Sequence, residues 1–279
     1  MGVVIEVIQD LIERHKIKKQ CRSAYEQITD ELYAYSLVLD EAIKLKEETG
    51  HIHFRTKEVE EKILRLIDED DRVLTIKNCA GENIGMNACR CKLENVVLRA
   101  LDNEEANTQV DIAGENIGMF AARYRLENAV IKALDNQEAS IQRSYRSNWN
   151  IGMLAADNYL ENAVIKALDN PVASIQQNSV GDNIGMIAAK KSLENAVIKA
   201  LDNDEACRQH NYICHNIGII SVRHGLEDAT IKAMDNDFIR NSQDANGVLF
   251  KTYISKSNMK DAKLKLNEYD AIDNIDFEK

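Results

Sequence analysis

The chain has 279 residues, of which 44% are hydrophobic, 29% charged and 5% aromatic, enough apolar material for a folded core and too much for wholesale disorder. Thirty-five basic against 46 acidic residues leave a net charge of −11, which argues against a nucleic-acid or anionic-membrane binder. One proline and twelve glycines make a helical composition, poor in the turn chemistry that sheets require.

Residues 1–47 stand apart from the rest of the chain. Val4, Ile5, Ile8, Leu11 and Ile12 form an amphipathic stripe at helical spacing, and Ile28, Leu32, Tyr35, Leu39 and Ile43 form a second. The expected role is a helical cap over the next element; a small separate domain or an oligomerisation helix is the alternative. The opening Met1-Gly2-Val3-Val4-Ile5-Glu6 lacks the basic start and small-residue cleavage site of a signal peptide. Glu6 also stands where a myristoylation motif needs Ser or Thr. No apolar window approaches the roughly 18 residues of a membrane-spanning helix.

From about residue 48 to about 267 the chain repeats itself. Asn-Ile-Gly-Met begins at Asn83, Asn116, Asn150 and Asn183, and Asn-Ile-Gly-Ile at Asn216, at intervals of 33 or 34 residues. Leu-Glu-Asn-Ala-Val-Ile-Lys-Ala-Leu-Asp-Asn begins at Leu126, Leu160 and Leu193, with looser copies at Leu93 and Leu226. Degenerate copies at Ile63-Leu64-Arg65-Leu66-Ile67-Asp68, at Asp244-Ala245-Asn246-Gly247 and at Met259–Leu266 keep the phase, making about seven units. Such a period marks a solenoid, in which each unit buries its apolar face against its neighbours.

Each unit predicts two helices. Asn116 is an N-cap for a short apolar helix bearing Ile117, Met119, Ala121 and Ala122. In the second helix Leu126, Val130, Ala133 and Leu134 share one face. Asn136 is placed to end it as a C′ residue in the left-handed conformation, followed by a polar linker of about ten residues. Gly118 and the Ala121-Ala122 pair lack bulk and let neighbouring helices approach closely. The repeated strings are expected to serve packing. The last dozen residues, with Asp270, Asp273, Asp276 and Glu278, read as a frayed acidic tail over 268–279.

The unit resembles the ankyrin repeat, whose pattern runs D-x-x-G-x-T-P-L-H-x-A-A. Asp111, Gly114 and the Ala121-Ala122 pair match it in place, and Asp244 with Gly247 repeats the first element. Asn-Ile-Gly-Met stands where the family has Thr-Pro-Leu-His, so an Asn cap must replace the Thr–His hydrogen bond, and the glycine between the two helices survives only as Gly225. The resemblance implies an all-α ankyrin-type helical-hairpin solenoid, with a concave face of finger tips and first helices presented to a protein partner. It implies no catalytic residues, no cofactor and no small-molecule substrate. Variant arrays of this kind look like those of bacteria that associate with eukaryotic cells, some of them secreted effectors. That makes the alternative an effector whose array targets a host protein while residues 1–47 hold the activity or regulation.

Two positions per unit are expected on the concave face. The one before the cap Asn holds Glu82, Glu115, Trp149, Asp182 and His215; the one after the Ala-Ala pair holds Arg90, Arg123, Asp157, Lys190 and Arg223. Acid at the helix start and base at its end would complement the helix dipole or stripe a docking face. The fourth unit departs, with the 34-residue interval, the run Arg143-Ser144-Tyr145-Arg146-Ser147-Asn148-Trp149, and the only Trp of the chain. Trp, Tyr and Arg dominate interface hot spots. The candidate partner-binding residues are therefore Trp149, Tyr145, Arg143 and Arg146, with Tyr124, Arg123, Glu115, Asp182 and Lys190 around them. A packing role for Trp149 against the next finger is the alternative.

The six cysteines (Cys21, Cys79, Cys89, Cys91, Cys207, Cys214) are too scattered for a disulfide scaffold and read as reduced thiols in a cytosol, a host cytosol if the chain is a secreted effector. Cys207, His210, Cys214 and His215 lie within nine residues, but their spacing matches no common zinc finger, so no metal is expected. Phosphate-loop, His-Glu-x-x-His and Gly-x-Ser-x-Gly motifs are absent. The expected function is protein recognition without chemistry, with neither nucleic acid nor membrane as partner.

Overall fold

The computed structural model describes residues 56–276 apart from 70 and 79. The expected N-terminal cap, Cys21 and Cys79 lie outside the described residues. The chain divides into two compact units, one through Ala139 and one from Ser140, and each is built the same way. Among the described residues there are helices and turns but no strand; a single antiparallel bridge joins Gln243 and Leu249.

The repeat is a pair of antiparallel helices followed by a short third. In the first unit the leading helices are Ile84–Cys91 and Ile117–Arg123, and the trailing helices Glu94–Leu101 and Glu127–Ala133. Thr56–Glu69 and the 3-10 turn Asp71–Thr75 stand where an earlier copy has its trailing and third helices. In the second unit the leading helices are Ile151–Asp157, Ile184–Lys190, Ile217–Arg223 and Phe250–Lys256, and the trailing helices Glu161–Ala167, Glu194–Ala200, Glu227–Ala233 and Lys260–Asp276. Within each unit, leading helix packs on leading helix and trailing on trailing. This is the helical-hairpin solenoid packing that the period predicts, in the all-α, ankyrin-type form that the resemblance implies. The final helix continues to Asp276, into the segment expected as an acidic tail.

The polar linker is not unstructured. It folds the third helices Glu104–Thr108, Gln137–Ile141, Pro171–Ile175, Asp204–Arg208 and Asp237–Arg240. Their caps explain the Asn that ends the long repeated string: Asn103, Asn170, Asn203 and Asn236 sit in extended backbone and accept from amides of the helix they start. Asn136 does the same, accepting from the Ala139 amide at 3.0 Å. It is an N-cap, not the left-handed C′ residue expected, because the trailing helix closes through αR residues such as Leu134. The one proline, Pro171, opens a third helix, where its missing N–H is harmless.

Asn-Ile-Gly-Met is a packing code. The Ile217 side chain of one repeat lies over Gly185 of the preceding one. A Cβ built on Gly185 would stand 2.8 Å from Ile217 Cδ1 and 2.7 Å from the Ala200 Cβ of its own trailing helix. Gly85 meets Ile117 and Ala100 in the same way. Only a residue without a side chain lets these helices reach van der Waals contact.

The Asn is wholly buried and uses both ends of its amide. Asn183 Oδ1 accepts from the Met186 amide at 2.9 Å, capping the leading helix. Its Nδ2 donates to the Ala206 carbonyl at 3.2 Å and to Gln209 Oε1 at 2.9 Å. Gln209 Nε2 in turn donates to the Ile175 carbonyl of the preceding repeat at 2.6 Å. Asn83 with Gln109 and Asn150 with Gln176 repeat the network.

The trailing helices are capped by their neighbours. The Leu at each start offers no side-chain cap. Instead Glu194 Oε1 accepts from the Asp228 and Ala229 amides of the next repeat at 3.0 and 3.2 Å, and Glu60, Glu161 and Glu227 act likewise. Within a unit a Lys of the trailing helix pairs backward with the Asp that follows the preceding trailing helix: Lys132–Asp102 at 2.6 Å, Lys199–Asp169 at 3.1 Å, Lys232–Asp202 at 2.5 Å and Lys265–Asp235 at 2.6 Å.

Candidate interaction face

Between third helix and leading helix the chain turns through a finger. An Asx residue starts it: Asn78, Asp111, Asn178, Asn211 and Asp244 each accept from the amides two and four residues on. A left-handed residue closes it: Gly81, Gly114, Asn148, Gly181, Cys214 and Gly247 all have positive φ. Neighbouring fingers within a unit are joined by a backbone bond: Ile112 N to Ala80 O in the first, and Ser179 N to Ser147 O, Tyr212 N to Val180 O and Ala245 N to Ile213 O in the second.

The fourth-repeat finger explains the 34-residue interval. Ser144 replaces the Asx residue, and its Oγ accepts from the Trp149 amide, five residues on, at 3.1 Å. The added residue lies in the turn, and Asn148 takes the left-handed place of glycine with φ 55°.

The two expected face positions meet each other. Arg90 is ion-paired with Glu82 and Arg123 with Glu115. Lys190 reaches Asp182 at 2.5 Å. The three carboxylates are buried, whereas Arg123 and Lys190 are exposed. The hydrogen bond to Glu115 holds the Arg123 guanidinium above its ordinary pKa. Glu115 and Asp182 therefore turn inward and steady the cation, which is the part that meets solvent. At Arg223 the partner is His215, 3.2 Å away at Nε2; burial first, and Arg223 second, keep that imidazole below its usual pKa. The fourth repeat has neither charge in place: Trp149 is half-buried, and Asp157 pairs forward with Lys191 at 2.9 Å.

Glu115, Arg123 and Tyr124 belong to the first unit; Arg143, Tyr145, Arg146, Trp149, Asp182 and Lys190 belong to the second. Tyr124 closes its leading helix. Arg143, Tyr145 and Arg146 are exposed on the fourth finger, with Tyr145 at 68%. The fingers beyond carry apolar tips that the repeat pattern alone does not single out: Val180 at 50%, Tyr212 at 78% and Ile213 at 55% exposed, with Ile112 in the first unit. A signal for them is nonetheless present in the sequence, since a turn of Asx and glycine that carries Val, Ile or Tyr at its tip contradicts ordinary loop composition.

Among the described residues no His, Cys, Asp or Glu side chains gather as a metal set. Cys207 is buried with its Sγ toward the Leu201 carbonyl, and burial pushes its thiol up to about 11. His210 is exposed and Cys214 closes a finger turn. Burial also raises the Cys89 thiol. No described helix is long and apolar enough to cross a membrane.

No protein-family model and no curated protein matches the chain. The chain is similar to the crystal structure of the ankyrin repeat domain of Bcl-3, a member of the IkappaB protein family, at a TM-score of 0.56 and 14% identity, covering 76% of this chain and 93% of that one. Asx-started fingers, paired antiparallel helices and a near-33-residue period thus come together in a chain with the ankyrin-repeat fold.

Proposed function

We propose that the chain is a non-catalytic protein-interaction scaffold that docks its partner on the row of fingers and leading-helix ends, anchored in the fourth repeat by Trp149, Tyr145, Arg143 and Arg146. The ankyrin fold is in general a protein–protein interaction module. One observation supports the choice of residues. In the other repeats that carry an acid before the cap Asn, that acid is buried and paired with a base eight residues on, as Glu82, Glu115 and Asp182 are. The fourth repeat abandons that pair, lengthens its finger by one residue, and holds a half-buried Trp with an exposed Tyr and two exposed Arg residues. A stack that needed only stability would keep the repeated pattern. Arg123, Tyr124 and Glu115 occupy the corresponding register on a leading helix of the first unit.

The test is the affinity of the full chain for a partner that it captures, measured with Trp149→Ala and Tyr145→Ala. An anchor at an interface centre is worth roughly 2 kcal/mol or more, so binding weakens more than tenfold while the circular-dichroism melt is unchanged. Leu264→Ala, on the exposed side of the last trailing helix, leaves affinity unaltered. Undiminished binding by both anchor variants with an intact fold would refute the proposal.

A further inference from the structure

The fingers of the second unit carry a sign as well as a shape. The inference drawn from it rests on the interaction reading above. The carboxylates of the leading-helix ends and finger starts in this unit are already engaged. Asp157 is paired with Lys191. Asp182 is buried, pairs with Lys190 and accepts from Asn211 Nδ2 at 2.9 Å. Asp244 is buried and accepts from the Tyr253 hydroxyl at 2.7 Å and from the Asn246 and Val248 amides.

The cations are not engaged to the same degree. Arg223 faces a histidine where the fifth repeat has a carboxylate. Arg143 and Arg146 are exposed, and among the described residues neither has an ion pair. Exposed apolar groups accompany them. Tyr145 sits between the two arginines in sequence, and Val180, Tyr212 and Ile213 crown the next two fingers, which are linked by the Tyr212–Val180 backbone bond.

We propose that the occupant of these fingers is an acidic peptide segment of a partner protein, with carboxylates interleaved among apolar or aromatic side chains. Arginine forks bind carboxylates in a bidentate geometry, and the free apolar tips need apolar cover that a bare polyanion lacks. The net charge of −11 does not forbid this. At physiological salt, fields decay over about 8 Å, so the unneutralised arginines dominate locally. A nucleic acid is disfavoured on the same count: with one phosphate charge per roughly 1.7 Å of duplex, it would run its charge past the few cations onto acidic surface.

The chain supplies its own reporter, because Trp149 is its sole tryptophan and lies in the fourth finger. The full chain is titrated with a random copolymer of Glu and Tyr, with the matching copolymer of Lys and Tyr, and with oligo-dT, following Trp149 emission. The Glu–Tyr copolymer is expected to shift the emission saturably, with an affinity that falls as salt rises. Arg143→Glu with Arg146→Glu weakens it at least tenfold, and Ile213→Ser weakens it severalfold, both with unchanged melts. Equal or tighter binding of the Lys–Tyr copolymer, tighter binding of oligo-dT through the same arginines, or indifference to the arginine reversal would each overturn the acidic occupant. The two levels separate cleanly. If Trp149→Ala loses affinity for a captured partner while the arginine reversal does not, the interaction stands and the acidic segment falls.

Discussion

Asn183→Asp changes one atom of a side chain that is 0% exposed, and the structure gives it a definite cost. The substitution keeps the shape and the Oδ1 that caps the Ile184–Lys190 helix, so the cap is retained. What it removes is the donor. The Ala206 carbonyl and Gln209 Oε1, now 3.2 and 2.9 Å from Nδ2, would face an oxygen. Gln209 cannot turn to help without releasing the Ile175 carbonyl. The Ala206 carbonyl keeps the Gln209 backbone amide at 3.3 Å, but the part-buried Gln209 Oε1 is left unmet at about 1–3 kcal/mol, and a desolvated carboxylate facing both oxygens adds to it, so a loss of roughly 2–4 kcal/mol at neutral pH is expected, a large part of an ordinary domain's stability. Burial raises the new carboxyl's folded pKa above its unfolded value near 3.9. The penalty is therefore smallest below about pH 4 and grows as pH rises toward the folded pKa. Urea unfolding followed by circular dichroism and by Trp149 emission measures it at both pH values. Asn195→Asp, at an exposed position, is the control and should stay within about 0.5 kcal/mol of the parent. A neutral-pH loss for Asn183→Asp as small as the control's would show that the buried amide network does not carry the stack.

Gly225 is left-handed with nothing within 4 Å of where a Cβ would stand, so Gly225→Ala isolates the backbone cost, about 1–2 kcal/mol. Ser192→Gly, at the same register with φ 59°, should gain nearly as much, and melts left unchanged by both substitutions would sink the reasoning. Glu194→Ala removes the cap that a neighbour supplies to the Glu227–Ala233 helix and should cost about 1 kcal/mol, read as a lower urea midpoint. His215, held below its usual value of 6.5 by burial and then by Arg223, supports stability above pH 6.5 and withdraws it as pH falls toward its lower folded pKa. His215→Glu restores the acid of the other repeats beside Arg223, and should flatten this loss in melting curves taken between neutral and mildly acidic pH.

The period, the helix pairs and the capping Asn are legible because each depends on contacts local in sequence or repeated identically. The third helices are hidden. They are only four or five residues long and too short to show a period, and only the Asx start and the Pro171 at a first turn betray them. Asn136 misleads because a terminal Asn suits both a left-handed end and an N-cap; the left-handed residues between the paired helices are instead Lys92, Arg125, Tyr159, Ser192 and Gly225. Glu115 and Asp182 read as surface acids because their partners lie eight residues on, beyond the three- and four-residue reach of pairs on one helix face. Here the acid lies before the cap, and the long basic side chain returns to it.

The signs of the two sides of a repeat follow from how its helices are capped. Trailing helices open with Glu127, Glu161, Glu194 and Glu227, and third helices with Glu104, Glu105, Asp204 and Glu205, where the positive end of the dipole favours carboxylates. The five leading helices capped by a neutral Asn have no acid in their first turn, and four of them carry a base in their last turn. The acidic excess of the chain is thus drawn to trailing and third helices. The leading-helix edge is left neutral wherever a buried acid holds the base, and cationic at Arg223, where His215 stands in the acid's place. Trp149 and His215 are the two replacements among those positions, so the electrical character of the fingers in the second unit is set by the exceptions to the repeat and not by its consensus.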